Sequence, residues 1–166
     1  MSLVRKGPLS LVSDMLKKVG IYSFCCCEGC SILFFEILNK KFFEWKDKIE
    51  ISDSKTIGKS YNNAIDIALV EGAISTKEEE EKLKEIRKRS RIVVAIGNCA
   101  TIGAPSNMRN FFDEKQKEEI KKVIERFEYL EKVKSIKEVI KVDYEVYGCP
   151  MDEKKFLEVF EKLVKQ

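Results

Sequence analysis

No histidine occurs anywhere in the 166 residues. That absence excludes Ser-His-Asp and Cys-His catalysis, histidine-ligated zinc or haem, and the side chain that most often serves as a general base near neutral pH. Neither sign of charge dominates: 31 Lys and Arg stand against 28 Asp and Glu. The charges alternate along helix-like stretches such as "STKEEEEKLKEIRKRSR" and form no basic stripe, so no nucleic-acid partner is expected. Long apolar runs are missing too. None approaches the length of a membrane span, and "MSLVRKGPLSLVSDMLKKVG" at the amino terminus lacks the apolar core and small-residue cleavage site of a secretory signal. The expectation is a cytoplasmic protein whose thiols stay reduced. Glutamine is scarce beside abundant Lys and Glu, a balance that ion-pair networks favour in thermophiles. With no linker rich in Pro, Gly or Ser and no internal repeat, residues 1–166 are expected to form one domain.

What the chain does have is cysteine in an uneven pattern. Four of the six lie in "CCCEGC" at residues 25–30, and the others stand alone in "IGNCA" and "YGCP". A chain of this length can bury a real core, so size does not demand disulfide staples. If the sequence carries chemistry, the cysteines carry it.

Short apolar runs alternate with longer amphipathic ones. Strands are expected at "IYSFC" near 21–25, at "KIEIS", near 65–70 in "AIDIALVEGAI", and at "RIVVAIG". Helices are expected through "SILFFEILNKKFFEW", through "STKEEEEKLKEIRKRS" with Ser75 and Glu78 at capping-box spacing, and through "DEKQKEEIKKVIERFEYLEKV", "SIKEVI" and "DEKKFLEVFEKLVKQ". A short extended piece, "YEVYGCP", interrupts this last group. Alternation of this kind predicts a doubly wound parallel sheet of about four strands with helices on both faces. Ligands of such sheets bind beyond the carboxyl ends of the strands. Cys27 and Cys30, the Glu71-Gly72 pair, and Cys99 each follow a strand, and Cys149 arrives on a late loop.

Cys27 and Cys30 form C-x-x-C around Gly29, a spacing shared by zinc sites, redox dithiols and iron–sulfur proteins. Cys99 in "GNCATIGAP" and Cys149 in "YGCP" each follow a glycine, Gly97 being two residues before Cys99 and Gly148 immediately before Cys149. There the backbone can approach an inorganic core and offer N–H groups to its sulfurs. A thioredoxin-like dithiol leaves Cys99 and Cys149 unexplained. A structural zinc site draws its ligands from compact knuckles, whereas these residues are widely spaced. A four-thiolate cubane accounts for all four, with Cys25 and Cys26 as core residues ending a strand. A zinc-stabilised interaction module without redox function stays open as an alternative.

"CEGC", "VEGAI", "GNCATIGAP" and "YGCP", in that order, resemble the proximal-cluster domain of [NiFe] hydrogenase small subunits. More distantly they resemble the 20 kDa subunit of NADH:quinone oxidoreductase, complex I. The resemblance covers roughly residues 20 to 152 and implies a flavodoxin-like domain in which Cys27, Cys30, Cys99 and Cys149 hold one [4Fe–4S] cluster at the carboxyl edge of the strands. It implies an electron-transfer subunit with no catalytic residue of its own. The resemblance places the nickel–iron site on a partner large subunit and implies a further iron–sulfur or flavin subunit that takes or supplies the electrons. The chain departs from the family at Gly103-Ala104, where paired glycines are common, and at Pro150-Met151, where paired prolines are. Its tandem cysteines match the ligands of the complex I relative, so Cys26 with Cys27 is an alternative to Cys27 with Cys30, in a relay subunit of a complex I-like quinone oxidoreductase. Glu71, with Gly72, Gly29, Gly97 and Gly148 around the ligands, is either a solvated loop carboxylate or an acid beside the cluster that tunes its potential or lies on a proton route. Phe34, Phe35, Phe42, Phe43 and Trp45 cannot all point inward from one helix, so the surplus, with "SNMRNFF", is expected to meet the large subunit.

Overall fold

The structure, a computed structural model, describes residues 16–55, 57–58 and 64–166. Residues 1–15, most of the amino-terminal stretch without signal-peptide features, lie outside them. Five strands form one parallel sheet: β1 (Lys17–Ser23), β2 (Ile49–Ser54), β3 (Ile65–Glu71), β5 (Ser90–Ile96) and β7 (Tyr144–Val146), in the order β2-β1-β3-β5-β7. The register runs Val19 opposite Ile67, Ile67 opposite Ile92, and Val94 opposite Tyr144. β3 and β5 are almost continuous runs of buried, largely β-branched residues, as strands covered on both faces must be. The sheet has one strand more than the four expected, because the extended piece before Cys149 pairs with β5 as β7.

Two cores flank the sheet. On one face α1 (Gly29–Lys40), the short α2 (Phe42–Trp45) and α6 (Glu153–Lys165) bury Phe34, Ile37, Trp45, Phe156 and Phe160 against Val19, Ile21 and Ile67. The rings pack edge-on and stacked, with Trp45 and Phe160 centroids 4.9 Å apart and Phe156 and Phe160 5.2 Å apart. On the other face α3 (Lys77–Arg89) buries Leu83 and Ile86 against Tyr22, Val70 and Val93. At the sheet edge the β1–β2 pairing skips Ser52, a bulge that sets Asp53 opposite Gly20. Asp53 there accepts a hydrogen bond from Tyr22 Oη at 2.9 Å and pairs with Arg89. No helix among the described residues is long and apolar enough to cross a membrane.

Four sequence expectations are corrected, the first being the single helix expected through 31–45, which Lys41 divides into α1 and α2. The helix expected across 113–133 is α5 (Glu114–Arg126) alone; the chain then turns at Glu128, with φ of 53°, into β6 (Tyr129–Lys134), which pairs antiparallel with β4 (Ile74–Thr76). The capping box of α3 is Thr76 with Glu79, one residue later than expected, because β4 keeps Ser75 extended. "SIKEVI" supplies only a 3₁₀ turn, Ile136–Glu138.

Candidate metal centre

The order β2-β1-β3-β5-β7 reverses direction between β1 and β3, so the loops leaving their carboxyl ends diverge and open a crevice. Into that crevice come the turn after β1, the Glu71-Gly72 turn after β3, α4 (Gly97–Ile102) after β5, and the turn after β7. Cys26, Cys27, Cys30, Cys99 and Cys149 line one cavity there of about 120 Å³. Glu71, Gly72, Gly29, Gly148 and Asn98 also form part of its wall. Three of the four converging turns therefore bring cysteine, from positions as far apart as 27 and 149.

The sulfurs occupy different surroundings. Cys30, in the first turn of α1, is 8% exposed, whereas Cys27 and Cys149 are exposed and Cys99 is intermediate. A side chain on Gly97 would run into Cys30 Sγ, so the bare backbone at that position makes the room the sulfur occupies. Burial pushes the Cys30 thiol up to about 11, against the pull of a main-chain hydrogen bond from Met151 and with the nearby Glu71, Cys99 and Cys149 adding to the rise. Burial likewise pushes Cys26 up to about 12, opposed by a main-chain hydrogen bond from Glu28. Ionised thiols crowded here without a cation would repel one another, and a metal core held among them would turn that repulsion into ligation. Among the described residues no three Cys, Asp or Glu side chains meet closely enough to hold a single ion.

Cys25 is set apart. Its main chain bridges Ala73, and it lines a neighbouring cavity with Ser75, Ser106 and Arg109. Glu71 is not a solvated loop carboxylate: it is 1% exposed and accepts hydrogen bonds from Ser23 Oγ at 2.8 Å, Ser31 N at 3.2 Å and Ser31 Oγ. Sequence reasoning missed those serines. It also missed Asn98, and Ser106, whose hydroxyl lies 3.5 Å from Cys99 Sγ and 2.9 Å from the Cys25 carbonyl. Ser31 and Asn98 adjoin ligand candidates, which is the one signal the sequence carried for them.

Residues 27–163 match the family described as NADH ubiquinone oxidoreductase, 20 kDa subunit. The chain belongs to that family. Among its relatives is a subunit of the F420-non-reducing hydrogenase vhu of Methanocaldococcus jannaschii, 35% identical over 150 residues, which cover 80% of this chain and 51% of that protein. Sulfhydrogenase 2 subunit delta of Pyrococcus furiosus is 31% identical over 152 residues, covering 89% and 60% respectively. This member of the 20 kDa-subunit family thus spans little more than half the length of these curated relatives. A chain in the crystal structure of an NAD+-reducing [NiFe]-hydrogenase in the H2-reduced state superposes with a TM-score of 0.73 at 26% identity, covering 91% of this chain and 93% of that one. The parallel sheet flanked by helices is accordingly the fold of hydrogenase small subunits.

Proposed function

We propose that this chain holds one [4Fe–4S] cluster on Cys27, Cys30, Cys99 and Cys149, and acts as the electron-relay subunit of a [NiFe] hydrogenase whose nickel–iron site lies on a large subunit. One observation carries the reading: cysteines from three separate strand-end turns line a single small cavity at the switch point of the sheet. Such a cluster, when bound, supplies a one-electron couple within the range of roughly −700 to +450 mV that these centres span. The chain's own residues set the surroundings. The Met151 amide, aimed at Cys30, disperses thiolate charge, and Ile96 and Pro150 in the wall keep water from that side. The exposed Cys27 and Cys149 mark the rim nearest a docked protein.

Exposed apolar side chains suit the partner contact. Phe43 is 83% exposed and Phe111 76%, with Phe42, Ile32 and Met108 also open to solvent, and we assign them to the large-subunit interface. Electrons leave to a further iron–sulfur or flavin subunit. A second reading keeps the cavity but ligates through Cys26 and Cys27, in a relay subunit of a complex I-like quinone oxidoreductase; the shared position of Cys26 on the cavity wall favours it.

The test is iron and acid-labile sulfide per chain in protein purified without oxygen, with visible spectra before and after dithionite. About four of each, with a broad absorption that bleaches on reduction, is the expected result. Zinc without colour would overturn both readings and leave a zinc-stabilised interaction module.

A further inference from the structure

β5 and β7 pair with a constant offset: Val94 opposite Tyr144, Ala95 opposite Glu145, Ile96 opposite Val146. Beyond Ile96 the main chain turns into α4, so its carbonyls point along the helix and the parallel ladder ends. The two turns stay joined past that end by a different, reciprocal pair of hydrogen bonds. The Asn98 amide donates to the Gly148 carbonyl at 2.8 Å, and the Gly148 amide donates to Asn98 Oδ1, also at 2.8 Å. Asn98 and Gly148 keep the sequence offset of the strand pairs before them, and the Asn98 side-chain oxygen gives the Gly148 amide an acceptor where the strand pairing has stopped.

Each partner of this pair immediately precedes a cysteine of the cavity, Cys99 after Asn98 and Cys149 after Gly148. Both polar groups of the Gly148 peptide backbone are thereby taken up by one residue of the neighbouring turn. We infer that Asn98 is a positioning residue: its side-chain amide fixes the separation of Cys99 from Cys149 before any metal arrives. The inference rests on the cluster reading proposed above. Ligand-orienting contacts outside the coordination sphere are worth about 10- to 100-fold in metal affinity. The geometry demands an acceptor two bonds beyond Cβ, which aspartate also provides, leucine lacks, and glutamine places one methylene too far.

The test uses the full chain, purified without oxygen, and follows the rate at which a chelator strips iron from the wild type and from Asn98→Leu, Asn98→Gln and Asn98→Asp. Leucine and glutamine variants should lose iron on the order of 10-fold faster or more. Asn98→Asp should retain it like the wild type, at a reduction potential shifted negative by the added charge. Retention in Asn98→Leu equal to the wild type overturns the clamp, as does an Asn98→Asp variant that loses iron as fast as the leucine one. Should Asn98→Leu fail to fold, the glutamine variant decides, and wild-type retention there overturns the clamp equally. A wild-type chain that takes up no iron overturns the cluster reading itself and the clamp with it.

Discussion

Replacing Gly148 by alanine should cost both stability and the metal core. Gly148 has φ of 120°, a backbone state that side chains rarely tolerate, at about 1 to 3 kcal/mol. A Cβ there would lie 2.6 Å from the Pro150 carbonyl oxygen and 2.8 Å from the Asp152 amide, closer than the 3.0 Å that real Cβ atoms respect. These are main-chain atoms next to the buried Met151, so no side chain can swing away to relieve the overlap. The turn must open by at least about 0.4 Å, and Cys149 is the next residue along it. Metal–ligand distances tolerate about 0.2 Å. Adding a modest overpacking cost gives a loss of about 3 kcal/mol, or roughly 6 to 12 °C in melting temperature for a chain of this size. The assay is iron and sulfide content with a thermal melt, beside Gly58→Ala as a control. Gly58 also has positive φ, at 66°, but nothing within 4 Å of its would-be Cβ, so that variant should lose only the backbone share and keep its iron. Gly148→Ala with full iron and an unchanged melt would refute the reasoning.

Three further outcomes are expected. Cys30→Ser and Cys149→Ser should lose the core while Cys25→Ser keeps it; iron loss in Cys26→Ser with retention in Cys30→Ser would move the ligand set to the tandem pair. Asp53→Ala leaves Arg89 and Tyr22 without their shared carboxylate and should destabilise by about 2 kcal/mol, since the pair is mostly buried; an unchanged denaturation midpoint would contradict this. Glu138 is held below the usual carboxylate range by hydrogen bonds from the Ser135 hydroxyl and amide. Its contribution is present above the ordinary carboxylate pKa and disappears as pH falls through the lowered one, so melts of Glu138→Gln should vary less with pH at the acid end than those of the wild type.

The strands that pair in the middle of the sheet were legible because burial on both faces leaves continuous β-branched runs, as in "RIVVAIG". That Cys27, Cys30, Cys99 and Cys149 would gather at the strand ends was legible because each follows a strand or a glycine-flanked turn; Cys26, read first as a core residue, also lines that cavity. The missed strand β6 shows where this stops. Apolar residues at Ile120, Ile124, Phe127 and Leu130 keep a helical spacing across the true end of α5, and the helix is broken by a left-handed glutamate, Glu128, where sequence reasoning looks for glycine. The α3 cap slipped by one because both Ser75 and Thr76 satisfy the same pattern, and the pairing of β4 with β6 decides between them. Glu71 was ambiguous for a similar reason. Its partners Ser23 and Ser31 lie 48 and 40 residues away, and only the fold brings them to it.

Those same bonds bear on the order of assembly. Helix α1 begins without a side-chain cap of its own and with no acid in its first turn, yet that turn carries Cys30. The missing cap comes from Glu71, at the far end of β3, through the Ser31 amide. The first turn of α1 is therefore secured only once β3 has docked beside β1, and a nascent chain has no finished receptacle for iron until residues well past 71 have been made and folded. The sheet must come first, and the buried carboxylate is the signal, written in structure, that it has.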